Sequence, residues 1–149
     1  MEYKVVRNID DKLYSVAVKN PELRLEYPPN EWVTSKIGGI LVFDNFICAE
    51  NFAEHTYLEL LGSKVEVWLC EVQEPIPLPA FRLTVVTNTN EVQELWNSNL
   101  EPPELITRKF SIHLLDYWPG GTKCYRKIRL VEKVYDTAEY RLTHRLHNF

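Results

Sequence analysis

A chain of 149 residues with 45% hydrophobic, 26% charged and 12% aromatic side chains has the makeup of one globular domain. A chain of that length buries roughly 70% of its unfolded surface without metals or disulfides, which excludes a metal-stapled mini-protein, a collagen and a disordered tail. The net charge of -4 divides into -7 over residues 1–100 and +3 over residues 101–149, which argues against general nucleic-acid binding and leaves room for one local anionic contact.

Lys4-Val5-Val6-Arg7 and Leu13 to Val18 are β-branched and aromatic runs around the polar cluster Asn8 to Lys12, which predicts a hairpin. Asn20-Pro21 and Pro28-Pro29-Asn30 bracket a third strand with Leu23, Leu25 and Tyr27 on one face. Gly38-Gly39 precedes Ile40-Leu41-Val42-Phe43, an apolar tetrad expected as a central strand buried on both faces. Asp44 or Asn45 then caps a helix running through about Glu54, with Ala49, Phe52 and Ala53 as its apolar stripe.

Lys64 to Val72 alternates as a strand that enters the core at Trp68. Pro75, Pro77 and Pro79 make Glu74 to Ala80 an extended connector or sheet edge, and Phe81 to Thr87 resumes strand character. Asn90 with Gln93 reads as a capping box for a short helix carrying Val92, Leu95 and Trp96, and Pro102-Pro103 as a loop. Phe110 to Leu115 and Lys123 to Val134 flank Trp118-Pro119-Gly120-Gly121 as a late hairpin. Its second strand places Lys123, Lys127, Arg129 and Lys133 on one face and Cys124, Ile128, Leu130 and Val134 on the other. From Asp136, with Glu139 three residues on, Ala138, Leu142, Leu146 and Phe149 line one face of a C-terminal helix.

The expected architecture is α+β: a mainly antiparallel or mixed twisted sheet with helices near 45–54 and 90–97, a single domain over 1–135, and a C-terminal amphipathic helix or tail over 136–149. No apolar run reaches bilayer length, and Met1-Glu2-Tyr3-Lys4 leads directly into an alternating segment, so neither a membrane span nor a signal peptide is expected and the expected location is cytoplasmic. Cys48, Cys70 and Cys124, odd in number and without a close pair, are expected to be reduced thiols.

Chemistry is sparse in the sequence. His144 and His147 share a helical face but have no Cys, Asp or Glu at matching ligand spacing, so no metal is expected. Neither Gly-Gly pair precedes a Lys-Ser/Thr motif, there is no strand–Ser–helix elbow, and Cys48 falls inside a predicted helix rather than at its start. The basic strand face with Tyr125 could hold an anionic ligand or RNA, although charge rows usually face water. Trp32, Trp96 and Trp118 fall in or beside predicted loops, as lids over the core or as anchors for a partner.

Gly39 to Asp44, then Ala49-Glu50-Asn51-Phe52-Ala53, then Lys64 to Val72 resembles the central part of ADP-ribosyltransferase-fold proteins, with a Gly-led strand, an alanine-bearing helix and a strand ending in Glu-Val. The resemblance implies NAD as cofactor, Arg7 on the nicotinamide-bearing ribose, Phe43 against nicotinamide and Glu132 as a late acid toward the acceptor. It also implies that Arg7, Phe43 and Glu71 line one ligand-binding cleft. The same pattern is similar to small uncharacterised phage and viral proteins, which implies an accessory role in the host cytoplasm. The favoured reading is a small soluble binding or interaction module without cofactor, engaging a protein partner or a small nucleotide-like ligand. Leu142, Leu146 and Phe149 are its expected partner-binding residues, with homodimerisation as one outcome. The alternatives are an NAD-dependent ADP-ribosyltransferase-like enzyme and, more weakly, an RNA-contacting protein.

Overall fold

The structure, a computed structural model, describes residues 1–16, 23–59, 64–84, 88–99 and 101–137. The alternating runs at the start form β1 (Glu2–Ile9) and β2 (Lys12–Ser15), joined through Asp10 and Asp11. Both aspartates take positive φ, 51° and 65°, and the Asp11 N–H donates to Asn8 Oδ1 at 3.0 Å. A two-residue turn of this kind follows the strand twist, and Asp tolerates the left-handed region better than bulkier residues.

The expected third strand is reduced to a single bridge between Tyr14 and Glu26. The Tyr27 N–H still donates to the Leu13 carbonyl at 2.8 Å, which seats the Tyr27 ring in the core. β3 (Trp32–Thr34) and β4 (Ile40–Phe43) follow. Asn45 is the residue that caps α1 (Phe46–Glu59): its side chain accepts the Cys48 N–H at 2.9 Å. The helix runs five residues beyond the expected end, and Cys48 sits in its first turn rather than in its interior.

β5 (Val65–Pro75) enters the core at Val65, earlier than the expected Trp68, and retains Pro75 as its last paired residue. β8 (Thr122–Asp136) is the longest strand and the organiser of the sheet. All pairings are antiparallel. β5 lies between β1 and β8, β4 and β3 pair along the other edge of β8, and β4 returns to β1 through Tyr3 and Phe43. The pairings β1–β5–β8–β4–β1 therefore close on themselves, and the sheet curls as a strongly twisted sheet must when its ends meet. The fold is α+β, as the sequence predicts.

Curling separates two apolar layers. Val6, Leu13, Tyr27, Ile40, Val42, Cys70, Ile128 and Leu130 pack together in one. In the other, Val5, Phe43, Val65 and Val67 meet α1, whose fully buried Ala49 and Ala53 let the helix backbone approach the strands closely. Between β5 and β8, Glu66 lies directly opposite Asp136, two carboxylates each only 2% exposed. Lys64 spans them at 3.5 and 3.6 Å, while Asn8 and the Trp68 indole donate to Glu66 at 2.8 and 2.9 Å. Although desolvation works against it, the Asp136 and Glu66 carboxylates hold the Lys64 ammonium above its usual range. Buried like charges at directly opposed strand positions are tolerated only with such partners.

The described residues between 76 and 121 form a satellite. β6 (Arg82–Leu83) and β7 (Leu115–Asp116) pair with each other, beside α2 (Thr89–Asn97) and α3 (Pro103–Lys109) over a small cluster of Leu95, Ile106 and Phe110. Several expectations are corrected here. Asn88, not Asn90, caps α2, and its partner is Glu91: the Asn88 side chain accepts the Glu91 N–H at 2.9 Å and donates to the Glu91 carboxylate at 3.1 Å. Pro102-Pro103 opens a helix, because a proline at the first helical position loses no intrahelical bond. Within Phe110 to Leu115, Ile112–Leu114 form a 3₁₀ turn and Leu115 opens β7, while β8 pairs with β3, β4 and β5 instead of a late hairpin partner. Asp136 is the last residue of β8.

Replacing Asn88 by Ala removes both cap bonds. Chemical denaturation should register a loss of about 1 kcal/mol, with Asn90→Ala near neutral.

Candidate interaction face

Antiparallel pairing places directly opposed residues on the same face of a sheet. On β8 the register sets Arg129 between Trp32 of β3 and Glu71 of β5, and Lys127 between Thr34 and Gln73. Two adjacent rows thus cross three strands on the surface turned away from Ile128 and Leu130. The Arg129 guanidinium lies 5.1 Å from the centre of the Trp32 ring and bonds Glu71 at 2.6 Å. Trp32 stays 39% exposed despite that contact. The indole is therefore held in place from one side and open on the other, and the guanidinium fork that holds it is itself pinned by a carboxylate.

The predicted basic face of β8 is present in part. Lys123, Lys127 and Arg129 lie outward while Cys124, Ile128 and Leu130 are buried. Val134, expected inside, is 39% exposed, because register shifts between Val67 and Trp68 and between Leu69 and Cys70 break the alternation across β8. Arg129 is paired with Glu71, and Lys133 with Asp136 at 3.4 Å. Lys123, Arg126 and Lys127 form no ion pair with any described residue.

The residues singled out from the sequence are dispersed. Arg7 pairs with Val65 and Tyr14, and Glu71 lies six residues further along β5, about 20 Å away at strand rise. Phe43 is buried under α1, its ring 5.2 Å from that of Phe52. Glu132 is exposed on β8 opposite Leu69. Arg7 and Glu71 are not brought together. Leu142, Leu146, Phe149, His144 and His147, with the predicted C-terminal helix, lie outside the described residues.

Trp96 covers Gly38, and the Trp118 indole donates to the Pro79 carbonyl at 2.8 Å, so both serve as lids. Trp32 is the residue that the sequence placed in a loop and the structure places on a strand. Its only signal was the short run Trp32-Val33-Thr34, whose residue types favour strands.

One further polar group sits inside the molecule. Lys4 is 8% exposed, donates to the Leu41 carbonyl at 2.8 Å and lies 5.3 Å from the centre of the Tyr27 ring. Burial pulls its amine down to about 8, against the opposing influence of Cys70 and Cys124. Burial pushes both thiols up to about 12, and the Tyr27 hydroxyl as well, with the Ser15 hydroxyl working the other way on Tyr27.

Among the described residues no group of three His, Cys, Asp or Glu side chains is placed to hold a metal, and no helix is long and apolar enough to cross a membrane. No protein-family model, curated protein or solved structure matches the chain.

Proposed function

We propose that the protein is a small binding module that engages a protein partner through the outer face of β3, β8 and β5. The observation that carries the reading is the half-exposed Trp32 fixed against Arg129, which is fixed in turn by Glu71. Tryptophan and arginine are the residue types that most often dominate interface energetics, and an anchor already held in its bound geometry loses little entropy on association. Its position on paired strands rather than a loop adds to that rigidity. The NAD-dependent transferase alternative draws no support from the site, since Arg7 and Glu71 stand about 20 Å apart along β5.

The test is comparative. A partner captured by the wild-type chain is purified and its affinity measured against Trp32→Ala and Arg129→Ala. Each variant should bind at least about tenfold more weakly, or some 1.4 kcal/mol, while its circular dichroism stays that of the wild type. A purified partner that binds both variants as tightly as the wild type would show that this face is not the recognition surface.

A further inference from the structure

Resting on that reading of the face, we infer that the partner contributes an extended segment that joins the sheet as a further strand along the outer edge of β3. The register pairs Trp32 with Arg129, Val33 with Ile128 and Thr34 with Lys127, and the Ser35 N–H donates to the Arg126 carbonyl at 2.9 Å. Opposed residues of an antiparallel pair alternate between those that exchange main-chain bonds and those that do not. Val33 and Ser35 therefore turn their N–H and C=O groups toward β8, while Trp32 and Thr34 turn theirs outward. β3 ends the sheet on that side, and no hydrogen bond among the described residues reaches these outward groups.

The preceding segment leaves the edge open. A turn in which the Glu31 N–H donates to the Pro28 carbonyl at 3.3 Å, with Asn30 at φ 65°, sends its two arms to different strands. Tyr27 bonds Leu13 of β2, whereas Asn30 bonds Leu130 of β8. Among the described residues the arms are joined by the Lys36 ammonium, which donates to the Arg24 carbonyl at 3.5 Å, and by no main-chain bond. Glu31, Trp32 and Thr34 are exposed, so a chain approaching the edge has access to it. An outward N–H and C=O on Trp32 and again on Thr34, about 7 Å apart, form the pattern that a second extended main chain completes; a phosphate backbone has no N–H to offer it. Residues of the added strand opposite Trp32 and Thr34 share their face. The Trp32 ring is backed there by Arg129, its neighbour across β8, so its free side suits an aromatic or β-branched side chain on the incoming strand. The residue between those two falls beside Val33, which packs against the core of Ile128 and Leu130, and suits an apolar side chain. The occupant is thus a short run of β-branched or aromatic residues, without proline where its own N–H groups meet Trp32 and Thr34.

Random dodecapeptides selected on the wild-type chain, with counter-selection on Thr34→Pro, supply the probe. The Thr34 N–H takes no part in the β3–β8 ladder, so proline removes an outward donor, and the circular dichroism of the variant should match the wild type. N-methylation along the selected peptide should weaken binding at least about tenfold at every second position and less than about threefold between them. On binding, amide exchange should slow at Trp32 and Thr34, a reading that uses the wild-type chain alone and stands even where the proline variant does not fold. Survival of no peptide, N-methyl losses that do not alternate, or unchanged exchange at Trp32 and Thr34 would each overturn the inference. A wild-type dimer that Thr34→Pro dissolves would give the edge to a second copy and overturn a partner's segment. A captured partner weakened by Trp32→Ala and Arg129→Ala but bound equally by Thr34→Pro leaves the face standing and overturns strand addition. One that is indifferent to Trp32→Ala and Arg129→Ala but lost with Thr34→Pro, alongside the alternating N-methyl pattern, keeps the edge and overturns the face.

Discussion

Replacing Lys4 by Met should stabilise the protein at pH 7 by about 2 kcal/mol. The amine has an ordinary value of 10.5 and is lowered to about 8 by burial, so folding at neutral pH carries the cost of a charged group that the core disfavours. A depression of that size corresponds to about 3 kcal/mol, from which the lost bond to the Leu41 carbonyl removes about 1. Methionine keeps the unbranched length against Tyr27 without the ammonium. The pH dependence carries the sign. Between about 8 and 10.5 the unfolded chain holds a proton on Lys4 that the folded protein has shed, so wild-type stability gains with rising pH across that window. Below 8 the full cost is present; above 10.5 it has gone. The advantage of Lys4→Met should therefore be largest at pH 7 and vanish by about pH 10. Urea denaturation of both proteins at the two pH values reads the difference, and the titrations of Tyr27 and the thiols largely cancel between them. A variant that is less stable than the wild type at pH 7 would mean that the Leu41 bond and the Tyr27 ring outweigh desolvation.

Much of the sheet could be read from local pattern. The β1–β2 hairpin follows from alternation on either side of Asp10-Asp11, β4 from the apolar tetrad after Gly38-Gly39, and α1 from Asn45 with Ala49 and Ala53 four apart. These features act within a few residues of where they are written. The satellite resisted such reading because its cues compete at short range: Asn88 and Asn90 both suit a cap, and Pro103 serves a helix start as well as a loop. The fate of Val134 depended on a register shift that leaves it unpaired on β8 against a strand more than sixty positions away, which no local alternation encodes.

The candidate face shows the same limit more sharply. Trp32, Glu71 and Arg129 were each conspicuous in the sequence, but as a loop aromatic, as a cleft acid beside Arg7, and as one cation in a basic row. What joins them is the pairing of three strands distant in sequence. Residue type announced that each could anchor or bind; only the register decided which neighbours each would have. The same register set Glu71 opposite Arg129, where the two form an ion pair.

The loop that leads from β3 of that face to β4 depends on one glycine, and Gly38→Ala should cost about 3 kcal/mol. Gly38 takes φ +62°, a conformation that costs a residue with a Cβ about 1–2 kcal/mol. The space is also occupied: an added Cβ would stand 2.1 Å from Trp96 Cδ2, well inside contact distance. Trp96 would have to swing away, and with it the contact between α2 and the sheet, exposing apolar surface worth a further 1–2 kcal/mol at about 25 cal/mol per Å². The Ser35 hydroxyl, which donates to the Gly38 carbonyl at 2.7 Å, ties the same turn to the end of β3. Gly120 supplies the control, since a Cβ there meets nothing within 4 Å and its φ is ordinary. Gly120→Ala should therefore stay within about 0.5 kcal/mol of the wild type. Denaturant midpoints of the two variants give the comparison, and changed indole fluorescence in Gly38→Ala alone would report the displaced Trp96. Equal, small effects at both glycines would mean that the turn relaxes around the new methyl group and that Trp96 does not hold it.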